Sequence, residues 1–133
     1  MGNFVIREVK TGVKFDLKAA NGQVILTSEV YSSQAACRRG LESVRKSAPV
    51  AGLLDLTLPR PDPVPNPRFE IYTDKSGSHR FRLKARNGKI IAVSEAYTGK
   101  SSCLKGIESI RANAPAAETI QEKEIHYGYQ GKN

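Results

Sequence analysis

Tryptophan is absent from this 133-residue chain, methionine occurs once, and cysteine and histidine occur twice each. So few thiols and imidazoles exclude a disulfide framework and a structural zinc site. No apolar run approaches the ~18 residues that a membrane helix needs. The opening MGNFVIREVK has neither the apolar region nor the cleavage site of a secretory leader. Met1-Gly2 begins like a myristoylation signal, but Ile6 stands where that signal requires Ser or Thr. No G-x-S-x-G, P-loop, H-E-x-x-H or G-x-G-x-x-G occurs, so no catalytic residue, metal ligand or cofactor is assigned, and the protein is read as a non-enzyme. His79 and His126 have no Cys, Asp or Glu at ligand spacing.

What is present is basic and core-forming. Apolar residues make up 39% of the chain and charged residues 26%, enough for one packed domain. Lys and Arg number 21 against 13 Asp and Glu, a formal charge of +8 with a pI near 9.7. The expected class is a soluble, cytoplasmic, basic protein.

The chain is one unit written twice. Residues 15–49 and 81–115 align at an offset of 66 with 17 of 35 positions identical, and most other positions are conservative swaps. The match extends to Phe4-Val5-Ile6 and Phe69-Glu70-Ile71. Each copy reads as three strands and a helix. Phe69 and Ile71 alternate with polar neighbours, and so do Phe81, Leu83 and Ala85, a period of two. Asn21-Gly22 and Asn87-Gly88 are the strongest short signals for two-residue hairpin turns. Helices are expected from Ser32 or Ser33 and from near Thr98, where side-chain oxygens can cap free N–H groups. Their apolar stripes run through Cys37, Gly40, Leu41 and Val44, and through Cys103, Gly106, Ile107 and Ile110. The repeated mid-helix glycine suggests close helix–sheet approach, and Ala48-Pro49 and Ala114-Pro115 stop both helices. Cys37 and Cys103 are read as small core side chains.

Residues 50–58 read as a fourth strand, with 116–123 a weaker counterpart. Between the copies, prolines at 59, 61, 63, 65 and 67 predict a stiff spacer, on the order of 28 Å long. The division is therefore repeat 1 at 4–58, linker at 59–68, repeat 2 at 69–123 and a tail at 124–133.

These residues resemble the YegP-like family of small tandem-repeat proteins of unknown function. The resemblance rests on Phe69–Tyr72, Phe81–Ile91, Ser94–Tyr97 and Cys103–Pro115 and on their first-copy equivalents. It implies β3-α-β units sharing one sheet with their C-terminal strands exchanged; no activity or site comes with it. The fold class expected is α+β: two tandem repeats in one antiparallel sheet, both helices on one face.

Function has to be sought on the other face. Alternation places Arg80, Arg82 and Lys84 there, continued by Arg86, with Lys89 diagonal across the hairpin and Tyr72, Ile91 and Val93 beside them. Cations around an aromatic and aliphatic platform are the ingredients for holding nucleic-acid backbone by charge and bases by stacking. The first copy offers only Lys14 and Lys18, interrupted by Asp16, with Arg7 nearby. The alternative partner is another protein docking on the apolar residues of this face, among them Ile25 and Thr27. The repeated Ser28-Glu29-x-Tyr31 and Ser94-Glu95-x-Tyr97 admit a Glu–Tyr ligand-contacting or acid–base pair, or a tyrosine packed at the strand-to-helix corner. No membrane association is expected, and duplication already supplies an intramolecular pseudodimer, so the chain is expected to be a monomer.

Overall fold

The computed structural model describes residues 2–122. Each half contributes four strands and one helix: β1 (Asn3–Val9), β2 (Gly12–Lys18), β3 (Val24–Ser28), α1 (Gln34–Ser47) and β4 (Gly52–Asp55) in the first. The second has β5 (Arg68–Thr73), β6 (His79–Lys84), β7 (Ile90–Val93), α2 (Lys100–Asn113) and β8 (Glu118–Gln121). All eight strands form one sheet, ordered β4-β5-β6-β7-β3-β2-β1-β8. The fold is α+β, and the halves meet where β3 pairs with β7.

The outer strands are exchanged. β4 of the first repeat lies beside β5 of the second, and β8 of the second beside β1 of the first. Both of these pairings are parallel, whereas the five inner pairings are antiparallel, so the sheet is mixed rather than antiparallel throughout. Followed through the ladder, β4 runs antiparallel to the β3 that precedes its helix and β8 antiparallel to β7; because β3 and β7 are themselves antiparallel, each last strand ends up parallel to the outer strand of the other repeat. The edge strands are shorter than the sequence suggests, four residues each. The proposed tail at 124–133 lies outside the described residues.

Both helices cover one sheet face. The core gathers Phe4, Phe15, Phe69 and Phe81 with Leu17, Leu26, Leu83, Leu41, Ile107 and Ile110, all essentially inaccessible. Phe4 meets Phe15 edge-on at 5.9 Å, and Phe69 meets Phe81 in the same way at 5.9 Å. Ser33 caps α1 by accepting from the Ala36 N–H at 3.1 Å. The N-cap of α2 is Gly99, one residue beyond Thr98, and it offers no side-chain cap. No helix among the described residues is long and apolar enough to cross a membrane.

The repeated serine and tyrosine have structural work. Ser28 Oγ accepts from the Phe15 N–H at 2.9 Å and donates to the Glu29 carbonyl, and Ser94 does the same for Phe81 and Glu95. Each hydroxyl thus satisfies buried backbone groups where the strand leaves the ladder. Tyr31 and Tyr97 stack on Phe15 and Phe81, at 6.3 and 6.2 Å between centroids. Their hydroxyls lie against the backbones of Gly40 and Gly106, where a Cβ would overlap them. A glycine that costs about 1 kcal/mol of helix propensity is retained because the tyrosine occupies the space of its missing side chain. Glu29 and Glu95 remain exposed. Burial pushes both tyrosine hydroxyls above their usual range, so they stay protonated and the acid–base reading finds no support.

Candidate nucleic-acid interface

The sheet face opposite the helices carries no helix, and only at its β4–β5 end does the linker lie against it, where Val64 packs on Gly52 and its carbonyl accepts from Arg68 at 2.7 Å. Register and alternation place Arg7, Lys14, Lys18, Arg68, Arg80, Arg82 and Lys84 on it, against Asp16, Glu70, Asp74 and, at the far edge, Glu118. These cations exceed these carboxylates by three, and five of the seven (Arg7, Arg68, Arg80, Arg82 and Lys84) are held in ion pairs.

Glu70 is the hub. Its side chain is 2% exposed, yet it stands on the open face because three long cations roof it over. Arg68 and Arg82 each donate to it at 2.7 Å, and the Lys84 ammonium lies 3.3 Å away. Burial pushes the Glu70 carboxyl up, but the hydrogen bonds from Arg82, Arg68 and Lys84 together outweigh it and hold the group below the usual carboxylate range. Arg82 also lies over the Tyr72 ring at 4.6 Å, a cation–π contact that fixes both side chains. Arg80 binds Asp74 at 2.7 Å, and that bond together with the Ser76 and Ser78 contacts brings Asp74 down to about 2.

In the first half the sign is reversed at the equivalent position: Asp16 stands where the second half has Arg82. It is nearly buried, accepting from Arg7 at 2.9 Å and from Thr27 at 2.6 Å. Lys14 and Lys18 flank it with no ion pair to a described carboxylate. Asp16, Thr27, Val93 and Arg82 form one row across the four central strands. Lys14 and Lys18 lie on one side of the pseudo-twofold axis, Arg80 and Lys84 on the other. The two cation rows are three strand spacings apart, about 14 Å.

The structure thus brings Tyr72, Arg80, Arg82 and Lys84 together, as alternation requires. Arg86 and Lys89 are elsewhere. The Asn87-Gly88 turn carries them toward the helix layer, where Arg86 lines a cleft with Ser43 and Lys46 of α1, and Lys89 lines one with Arg39 and Tyr31. Ile25 and Ile91 also leave the expected face. Leu17 pairs with Leu26 and Lys18 with Val24, so Ile25 is an extra residue on β3, and the same irregularity falls at Ile91 on β7. Each β-bulge breaks the alternation and turns its isoleucine into the core. The aliphatic surface of the open face then centres on Val93 beside Thr27, with Val5 and Ile120 toward one edge and Leu54 at the other. Sequence reading missed Glu70 as an organiser; its signal was a lone acid placed opposite Arg82 and between basic neighbours.

Cys37 and Cys103 are buried, unpaired core residues, and burial pushes the Cys103 thiol up to about 11. Among the described residues no group of three His, Cys, Asp or Glu side chains is arranged to hold a metal.

Comparison with known proteins agrees with this architecture. The family described as "Domain of unknown function (DUF1508)" matches at residues 10–55 and again at 74–121. A UPF0339 protein of Stutzerimonas stutzeri is 36% identical over 121 residues, covering 90% of this chain and 96% of its own. A UPF0339 protein of Treponema denticola is 61% identical over 54 residues, 41% of this chain but 93% of its own length, so it corresponds to one unit. The solution structure of YegP from E. coli, a protein of unknown function, superposes with a TM-score of 0.75 at 32% identity over 91% of this chain and 92% of that one. That of a UPF0339 protein from Shewanella oneidensis gives 0.76 at 28% identity, covering 95% and 98%. The chain therefore belongs to the DUF1508 family, as a tandem member with two copies of the unit in one polypeptide.

Proposed function

We propose that the protein is a non-enzymatic, monomeric binding protein that holds nucleic acid on the open face of its sheet. The observation that carries the reading is the pair of cation rows, Lys14 and Lys18 facing Arg80 and Lys84 across the central strands, with Val93 and Thr27 between them. Arg68, Arg82 and Lys84 share one carboxylate, Glu70, which leaves a local positive excess even after ion pairing. Rows on the order of 14 Å apart suit contact with phosphates on either side of a groove about 12 Å wide. Tyr72 is already covered by Arg82, so backbone contact dominates over base stacking in this reading.

Because Arg82 and Lys84 also hold Glu70, the informative variant is Lys14→Gln/Lys18→Gln, which removes charge without orphaning a carboxylate. Fluorescence anisotropy with labelled RNA and DNA should show binding that weakens steeply with salt, and the variant's log–log salt slope should be shallower by about 2. No binding of either polymer at low ionic strength refutes the proposal. Protein docking on the same face is the second reading; it predicts association nearly insensitive to salt and unaffected by the lysine changes.

A further inference from the structure

Arg86 and Lys89 left the open face to join a second concentration of charge. Each helix spans the junction of the halves: α1 lies over β2 of its own repeat and β7 of the other. A cleft of about 420 Å³ opens between α1 and the second Asn-Gly hairpin, lined by Tyr31, Arg39, Lys89 and Ile90, and a cleft of about 290 Å³ continues it past Ser43 and Asn87 to Lys46 and Arg86. Arg39, Lys46, Arg86 and Lys89 form no ion pair with a carboxylate of the described residues, and Glu29 is the one acid on the lining. Ile90, a large apolar side chain 36% exposed, lines the first of these clefts with Arg39 and Lys89.

The duplication supplies an internal control. The same backbone junction exists between α2 and the Asn21-Gly22 hairpin, where the equivalents of Arg39, Lys46, Arg86 and Lys89 are Lys105, Ala112, Ala20 and Gln23. Four cations at this junction correspond to one at the equivalent positions of the other, although the mid-helix glycine and the tyrosine against it are the same in both. A generally basic surface made only for solubility does not explain charge gathered on one side of a pseudosymmetric molecule. An apolar wall with a few convergent polar groups, in the size range of small-ligand pockets, does.

We propose that the cleft between α1 and the second hairpin binds a nucleotide-sized phosphate ester, with Arg39, Lys46, Arg86 and Lys89 around the phosphate and Tyr31 and Ile90 along the organic part. The Ser43 hydroxyl and the Asn87 amide are neutral donors at the join; the Asn87 side-chain oxygen is already occupied by the Lys89 N–H at 3.0 Å. Guanidinium groups suit the geometry of phosphate oxygens and lysines supply point charge. The site needs residues from both repeats, so neither half contains it alone.

The test is a titration of the full chain with ADP, adenosine and inorganic pyrophosphate, followed by amide NMR. ADP should saturate, with shifts at Ser43, Asn87 and Lys89 but not at Ala20, Gln23 or Lys105; adenosine should bind far more weakly. Arg39→Ala/Lys89→Ala, both exposed positions, should weaken ADP by about tenfold or more, while Lys105→Ala leaves it unchanged. Lys14→Gln/Lys18→Gln should also leave ADP binding intact, so failure of the sheet-face reading and failure of this one are separable. Absence of saturation, equal shifts at both clefts, or an undiminished double variant overturns the proposal.

Discussion

Replacing Glu70 by valine, the residue at the equivalent position in the first repeat, tests whether one acid organises the open face. Glu70 is 2% exposed and holds Arg68, Arg82 and Lys84, so its removal leaves three cations confronting one another. Breaking a buried pair by deleting one partner costs roughly 3–5 kcal/mol. Here the orphaned cations keep about a quarter of their side-chain surface in water, 27% for Arg82 and 23% for Arg68 and Lys84, so the lower end applies. We expect a loss of about 2–3 kcal/mol, which for a chain of this size lowers Tm by roughly 8–12 °C. The first repeat shows a second arrangement, with its acid one strand inward at Asp16. Adding Arg82→Asp to Glu70→Val places a carboxylate between Arg80 and Lys84 and opposite the vacated position, and should recover about half of the loss. Urea denaturation of wild type, single and double variants is the assay. A single variant within about 0.5 kcal/mol of wild type, or a double variant no more stable than the single, refutes the claim that this carboxylate assembles the surface.

Gly40→Ala should destabilise by about 1–2 kcal/mol in thermal melts, because the added methyl meets the Tyr31 hydroxyl; a gain of the ~1 kcal/mol that helix propensity alone predicts would contradict the packing described. Acid should unfold the protein in a defined window. Glu70, Asp55 and Asp74 all have folded values lowered below their unfolded ones, so the stability they contribute is complete above about pH 4.5 and is lost as pH falls toward 2, which circular dichroism follows. Cys37 and Cys103 should resist a thiol reagent at pH 8 until denaturant is added, since both are buried and their thiols are held in the neutral form; rapid native labelling would count against that burial. Cleavage within 61–65 should leave the two fragments co-eluting on a sizing column, because each half contributes an edge strand to the other half's end of the sheet; separation under native conditions would exclude the exchange.

The architecture was legible because its signals are local and doubled. Asn-Gly turns, alternation through Phe81 and Leu83, and the Ala-Pro stops each act within a few residues, and each occurs twice. The exchange of β4 and β8 has no such local mark; family resemblance supplied it, and the parallel direction followed only from the three-dimensional path. The open face was half legible. Alternation placed Arg80, Arg82 and Lys84 correctly, but it fails wherever a bulge adds a residue, which is why Ile25 and Ile91 turn inward. It fails again beyond the strand end, where the hairpin takes Arg86 and Lys89 to the helices. Pairing is invisible to composition: a net charge of +8 does not reveal that one glutamate occupies three of the cations.

The strand exchange also sets the order in which the molecule can be finished. β1 begins at Asn3, and its outer neighbour ends at Gln121, so both repeats must leave the ribosome before the outer edge of the first strand finds its partner. Until then a nascent chain displays a bare strand edge, and any other nascent copy carries the segment that fits it. Contacts so distant in sequence form slowly. The tether between the repeats favours closure within one chain by holding the matching strand at high local concentration. Protein made faster than that closure is expected to interlock as swapped dimers, an outcome that expression at lower temperature or lower rate would diminish.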